Sequence, residues 1–117
     1  MLDELKLIEN FKKLMRAGMF YATSAHDYIF DKSVDDTVAV SYLNIAVSKF
    51  SAAEALYYSK IDILEHKEVE DIFHLFGVYA RELLTNVRTN HSHQWTNIEY
   101  EKLKETFECS AFAVENS

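Results

Sequence analysis

Residues 38–58 read Val38-Ala39-Val40-Ser41-Tyr42-Leu43-Asn44-Ile45-Ala46-Val47-Ser48-Lys49-Phe50-Ser51-Ala52-Ala53-Glu54-Ala55-Leu56-Tyr57-Tyr58. Within this stretch Ala39, Leu43, Ala46, Phe50, Ala53 and Tyr57 recur in alternating steps of four and three. That spacing keeps side chains on one face of an α-helix, whereas a half-buried strand needs period two. A second stripe, Val38, Tyr42, Ile45, Ala52 and Leu56, runs beside the first and is interrupted by Lys49. Two adjacent apolar stripes make a wide face. The pattern predicts a helix over about 34–58. Such a helix is either central to a bundle, or buries one stripe inside the monomer and the other against a second subunit.

The same period extends outward. Ile8, Phe11, Met15, Gly18, Ala22, Ala25 and Ile29 alternate steps of three and four and predict a helix over about 3–30. Its small residues Gly18, Ala22 and Ala25 would let a neighbouring backbone come close. Val69, Ile72, Phe76, Tyr79 or Ala80, Leu83 and Val87 predict a third helix over about 65–87. Tyr100, Leu103, Phe107, Ala111 and Val114 predict a fourth over about 97–114. Ser33 with Asp36, and Thr96 with Glu99, have the spacing of helix-start signals. The links, about 31–33, 59–64 and 88–95, are short, which favours antiparallel neighbours and an up-down-up-down bundle.

Composition agrees. The 117 residues contain no proline and two glycines, too few turn formers for an all-β fold. No GxGxxG or GxxxxGK[ST] run is present to hold a nucleotide phosphate. One domain spanning 1–117 is expected from the length. The formal net charge of −7 argues against passive duplex DNA binding, since bulk phosphate repels such a surface. A local basic pocket could still handle RNA, and an acidic face could bind a basic partner. A single cysteine, Cys109, fits a reducing cytosol. The N-terminus lacks a basic stretch followed by an apolar run, and no segment approaches the ~20 apolar residues of a membrane span. The expectation is a cytoplasmic protein with no membrane partner.

The link Val87-Arg88-Thr89-Asn90-His91-Ser92-His93-Gln94-Trp95 holds two of the five histidines and the only tryptophan. Three alternatives stand beside each other. As a polar connection, Arg88 would complement the helix dipole, Asn90 and Ser92 would make turn bonds, and Trp95 would close the bundle end as a staple. As a metal site, His91 and His93 would need two further ligands, and no CxxC or HExxH supplies them. As a nucleolytic pair, Arg88 and His93 form R-x4-H. The guanidinium would bind a phosphate bidentately while the imidazole moved the proton of an attacking 2′-hydroxyl. Such chemistry needs no metal and no cofactor.

The residues from Ala46 to Leu56, with an aromatic and alanines ahead of an Ala-Leu pair, resemble the second helix of HEPN domains. His66-Lys67-Glu68-Val69, Ile72-Phe73 and Phe76-Gly77 resemble the start of that family's third helix. The likeness spans roughly 11–114. It implies an all-α bundle of four or five helices, with R-x4–6-H around the start of the last long helix. It also implies a metal-independent endoribonuclease of toxin-antitoxin or phage-defence systems. In that family two Arg/His pairs share a cleft at a homodimer interface, and other members are non-catalytic binding or dimerisation modules. Carried onto this chain, the catalytic positions are Arg88 and His93, with Asn90 and Trp95 as substrate contacts. A second function stands beside this one: a small acidic interaction module, or phage-encoded inhibitor, that binds a basic nucleic-acid-binding protein. For such a mimic the acidic ridge Glu101, Glu105 and Glu108 is the natural surface, although Lys102 and Lys104 between them also suit a solvated face. His26-Asp27 is expected in a solvated cap region, because adjacent helix residues do not face each other.

Overall fold

A computed structural model describes residues 2–30, 35–89 and 94–112. Five helices follow in order: α1 (Leu2–Phe30), α2 (Asp36–Ser59), α3 (Ile61–Leu64), α4 (Lys67–Thr89) and α5 (Gln94–Glu108). No strand occurs among the described residues. With 29 residues, α1 spans about 44 Å at 1.5 Å per residue, most of the 49 Å long axis of the molecule.

Cross-helix contacts set the topology. Gly18 meets Phe50, and Phe11 stacks on Tyr57. Numbers fall on α1 as they rise on α2, so the two run antiparallel. Phe50 meets Phe76 while Tyr57 meets Phe73, which makes α2 and α4 antiparallel. Asn86 bonds Thr96 and Tyr79 packs on Tyr100, so α4 and α5 are antiparallel too. The four long helices therefore run up-down-up-down, as expected, and α3 is a single turn in the α2–α4 link with Leu64 buried. Contacts are densest within the pairs α1/α2 and α4/α5, and thinner along the α2–α4 and α1–α5 seams. One apolar cluster nonetheless joins all the long helices.

The predicted stripes are the core. All six residues of the first α2 stripe are buried, and so are Phe11, Met15, Gly18, Ala22, Ala25 and Ile29 of α1. On α4 the inward residue is Tyr79, with Ala80 half-buried. The second α2 stripe is divided between contact within the chain and exposure. Tyr42 stacks between Tyr21 and Tyr28 of α1, whereas Ile45 on the same stripe is 39% exposed. The seam with α1 uses part of the stripe, and solvent meets the rest.

Three boundary expectations are corrected. The cap of α2 is Asp35, whose Oδ1 accepts from the Val38 amide at 3.1 Å; Ser33 lies outside the described residues. Helix α5 begins at Gln94, so Thr96 is not its cap. Thr96 is buried in the first turn, where it accepts from Asn86 Nδ2 at 3.1 Å and donates to the Glu82 carbonyl at 3.3 Å. The far end of α5 stops at Glu108, because the Ser110 hydroxyl bonds the Phe107 carbonyl and accepts from the Phe112 amide, closing a turn. Ala111 is exposed, and Phe112 folds back onto Phe11 instead.

Candidate functional site

Arg88 lies exposed in the last turn of α4, where its charge complements the negative helix end. His93 and Asn90, with His91, lie outside the described residues. Trp95 is 63% exposed in the first turn of α5, so it does not close the bundle end as a staple. No hydrogen bond, ion pair or ring contact joins Arg88 to Trp95. Among the described residues no group of three or more His, Cys, Asp or Glu could hold a metal ion. No described helix is long and apolar enough to cross a membrane.

A different site opens where the α1–α5 seam is thin. The cleft there has a volume of about 700 Å³. Helix α1 lines it with Thr23, His26 and Asp27, and α5 with Asn97, Tyr100, Glu101, Lys104 and Glu108. Gln94, which directly follows His93 in the chain, also lines it. His26 is not solvated. It is 6% exposed, and its ring lies almost parallel to Tyr100, 9° between planes and 3.8 Å between centroids. The Tyr100 hydroxyl donates to Thr23 Oγ1 at 3.0 Å. The two contacts tie α1 to α5 and hold both walls in place.

Charge in the cleft is lopsided. Asp27, Glu101 and Glu108 carry three negative charges against the single ammonium of Lys104. The Tyr100 phenol feels this field. Burial pushes its pKa up, Asp27 and Glu101 add to that, and Thr23 and Lys104 act in the opposite direction. Behind it, burial drives the Tyr79 phenol far above its ordinary range, with Tyr100 and Asp27 contributing. Tyr79 donates to the Ala22 carbonyl at 3.3 Å.

At the opposite end of α4, Tyr57 joins three elements. Its hydroxyl accepts from the His66 amide at 3.1 Å and donates to Glu70 Oε2 at 3.0 Å. The His66 ring accepts the Glu68 amide at 3.2 Å, so an imidazole helps to satisfy the first turn of α4. This cluster fastens the α2–α4 link, and beside it an open pocket of about 440 Å³ is lined by Glu65, His66, Lys67, Glu70 and Asp71.

The α1–α5 cleft had one signal in the sequence. Asn97, Glu101, Lys104 and Glu108 recur in steps of four, three and four, a polar stripe flanking the apolar Tyr100, Leu103 and Phe107. Comparison of the chain with protein-family models, curated proteins and solved structures found no match, so the likeness to HEPN domains rests on the residues quoted above alone.

Proposed function

We propose that the protein is a non-catalytic, HEPN-like interaction module of the cytoplasm that binds a basic protein partner. One observation carries this reading: carboxylates stand on both walls of the α1–α5 cleft, Asp27 on α1 and Glu101 and Glu108 on α5. A cleft of net negative charge attracts lysine and arginine and repels phosphate, and the field of a chain with formal charge −7 adds to both effects. The acidic ridge read from the sequence thus faces a concavity in part, which suits a nucleic-acid mimic competing for a basic groove. The test is capture from a lysate of the source cells with the wild-type chain and with an Asp27→Asn, Glu101→Gln, Glu108→Gln triple variant as baits. A stoichiometric basic protein, held by the wild type and lost by the variant, is expected. Equal retention by both baits, or no basic protein, refutes the reading.

A metal-independent endoribonuclease is the second reading, favoured by the exposure of Arg88 at the end of α4, immediately before the link that holds His93. In it Arg88 binds the scissile phosphate, His93 transfers the proton, Asn90 and Trp95 contact RNA, and a homodimer brings two pairs together. RNA incubated with purified protein in EDTA decides it. Cleavage that is lost in His93→Ala supports the nuclease, and equal background in both proteins ends it.

A further inference from the structure

We infer that His66 is a proton-sensitive latch: its neutral ring caps α4 and seats the turn after α5, and protonation releases both. His66 immediately precedes α4, and its Nδ1 accepts from the Glu68 amide at 3.2 Å. A capping side chain does the same at other helix starts, usually with a hydroxyl or carboxylate oxygen. The imidazole also meets the ring of Phe112 edge to face, with 81° between planes and 5.7 Å between centroids. Phe112 is buried and packs edge to face on Phe11 of α1, so the turn after α5 is held between α1 and the start of α4. None of these residues lines the α1–α5 cleft or belongs to the link after Arg88, so the latch is independent of both functional readings.

One nitrogen carries the chemistry. An Nδ1 that accepts an N–H holds no proton, so the capping ring is neutral with its proton on Nε2. Protonation turns Nδ1 into a donor facing a donor, and the Glu68 amide loses its acceptor. The charged ring then stands at the positive end of a 23-residue helix, where a cation is disfavoured. A replacement partner is close: Glu68 Oε1 lies 3.6 Å from Nδ1. Reaching it requires the ring to turn away from the amide, and a ring that turns does not keep its edge-to-face contact with Phe112. The groups around the imidazole come from three elements. Tyr57 of α2 bonds the His66 backbone through its hydroxyl, Glu65 precedes His66 in the link, and Lys67, Glu68, Glu70 and Asp71 belong to the first turns of α4. The turn after α5 faces the ring with the apolar Phe112. The four carboxylates outnumber the ammonium of Lys67 and give a charged ring partners outside the cap. His66 is exposed, so protons reach it directly, and histidine is the side chain that changes charge near neutral pH.

The test is an NMR titration of the isotopically labelled full chain from about pH 8 to about pH 5, across the histidine range. The Glu68 amide and the Phe112 ring signals are expected to move with the His66 ring signals on one curve. Hydrogen-exchange protection of the Glu68 amide, corrected for the intrinsic effect of pH, should fall about fivefold, the worth of one capping bond. His66→Asn keeps a capping acceptor that does not titrate in this range, so in that variant the Glu68 and Phe112 signals should hold still. Signals that stay fixed in the wild type, or that move equally in His66→Asn, overturn the inference. Movement of Glu68 without Phe112 also overturns it, since the cap would then respond to the proton without releasing the turn.

Discussion

The two glycines occupy α-helical positions and have opposite reasons to be there. A Cβ on Gly18 would lie 2.7 Å from the ring of Phe50, which is itself buried and 4.3 Å from the ring of Phe76. The small residue lets an aromatic of α2 reach the α1 backbone. Gly18→Ala gains about 1 kcal/mol of helix propensity but overpacks a filled core at about 1–3 kcal/mol, so urea unfolding should show a net loss of up to about 2 kcal/mol. Gly77 is exposed in α4 with nothing within 4 Å of its Cβ position. Gly77→Ala should therefore stabilise by roughly 0.5–1 kcal/mol in the same measurement. Equal signs for the two substitutions would contradict the packing described. Tyr79 supplies a test in pH. Its folded pKa is raised from an ordinary value of 10.0, so its contribution to stability is complete below about pH 10 and is lost as pH climbs toward the folded value. Each such tyrosine costs up to about 1.4 kcal/mol per pH unit over that window. Unfolding midpoints compared at pH 8 and pH 11 should decline less steeply for Tyr79→Phe than for wild type, and an unchanged decline would contradict its burial.

At the scale of the element, periodicity carried nearly all of the fold. The stripe from Ala39 to Tyr57 is buried residue for residue, because a helix of fixed pitch leaves little choice about which positions share a face. End signals carried less. Ser33 and Thr96 have capping chemistry, but Asp35 takes the α2 cap and tertiary packing draws Thr96 inside to bond α4. Asp35→Ala should cost about 1 kcal/mol, read from thermal or urea unfolding, since the Val38 amide then loses its acceptor. The candidate site was the least legible. His26 sits one residue beyond the Ala22–Ala25 pair, and nothing in the α1 pattern announces that Tyr100, 74 positions later, stacks on its ring. A seam between non-consecutive helices depends on how two hairpins approach each other, and local periodicity holds no record of that.

At the scale of the molecule, two antiparallel hairpins share a core, and the seams between them admit space. On the α2–α4 side the space is narrow, about 140 Å³, and lined by Phe50, Phe73 and Phe76. On the α1–α5 side it is wide, polar and acidic. The proposed partner would therefore meet the molecule on its α1–α5 side. The ribonuclease reading would place activity at the other feature, the link after Arg88, so the two readings predict contacts in different places. Amide chemical-shift mapping on isotopically labelled protein, titrated with a short peptide rich in lysine and arginine, tests this most directly. The account predicts saturable shifts at Thr23, Asp27, Asn97 and Glu101, lost in the Asp27→Asn, Glu101→Gln, Glu108→Gln triple variant. Shifts centred on Arg88 and Trp95, or none at the α1–α5 cleft at saturating peptide, would contradict it.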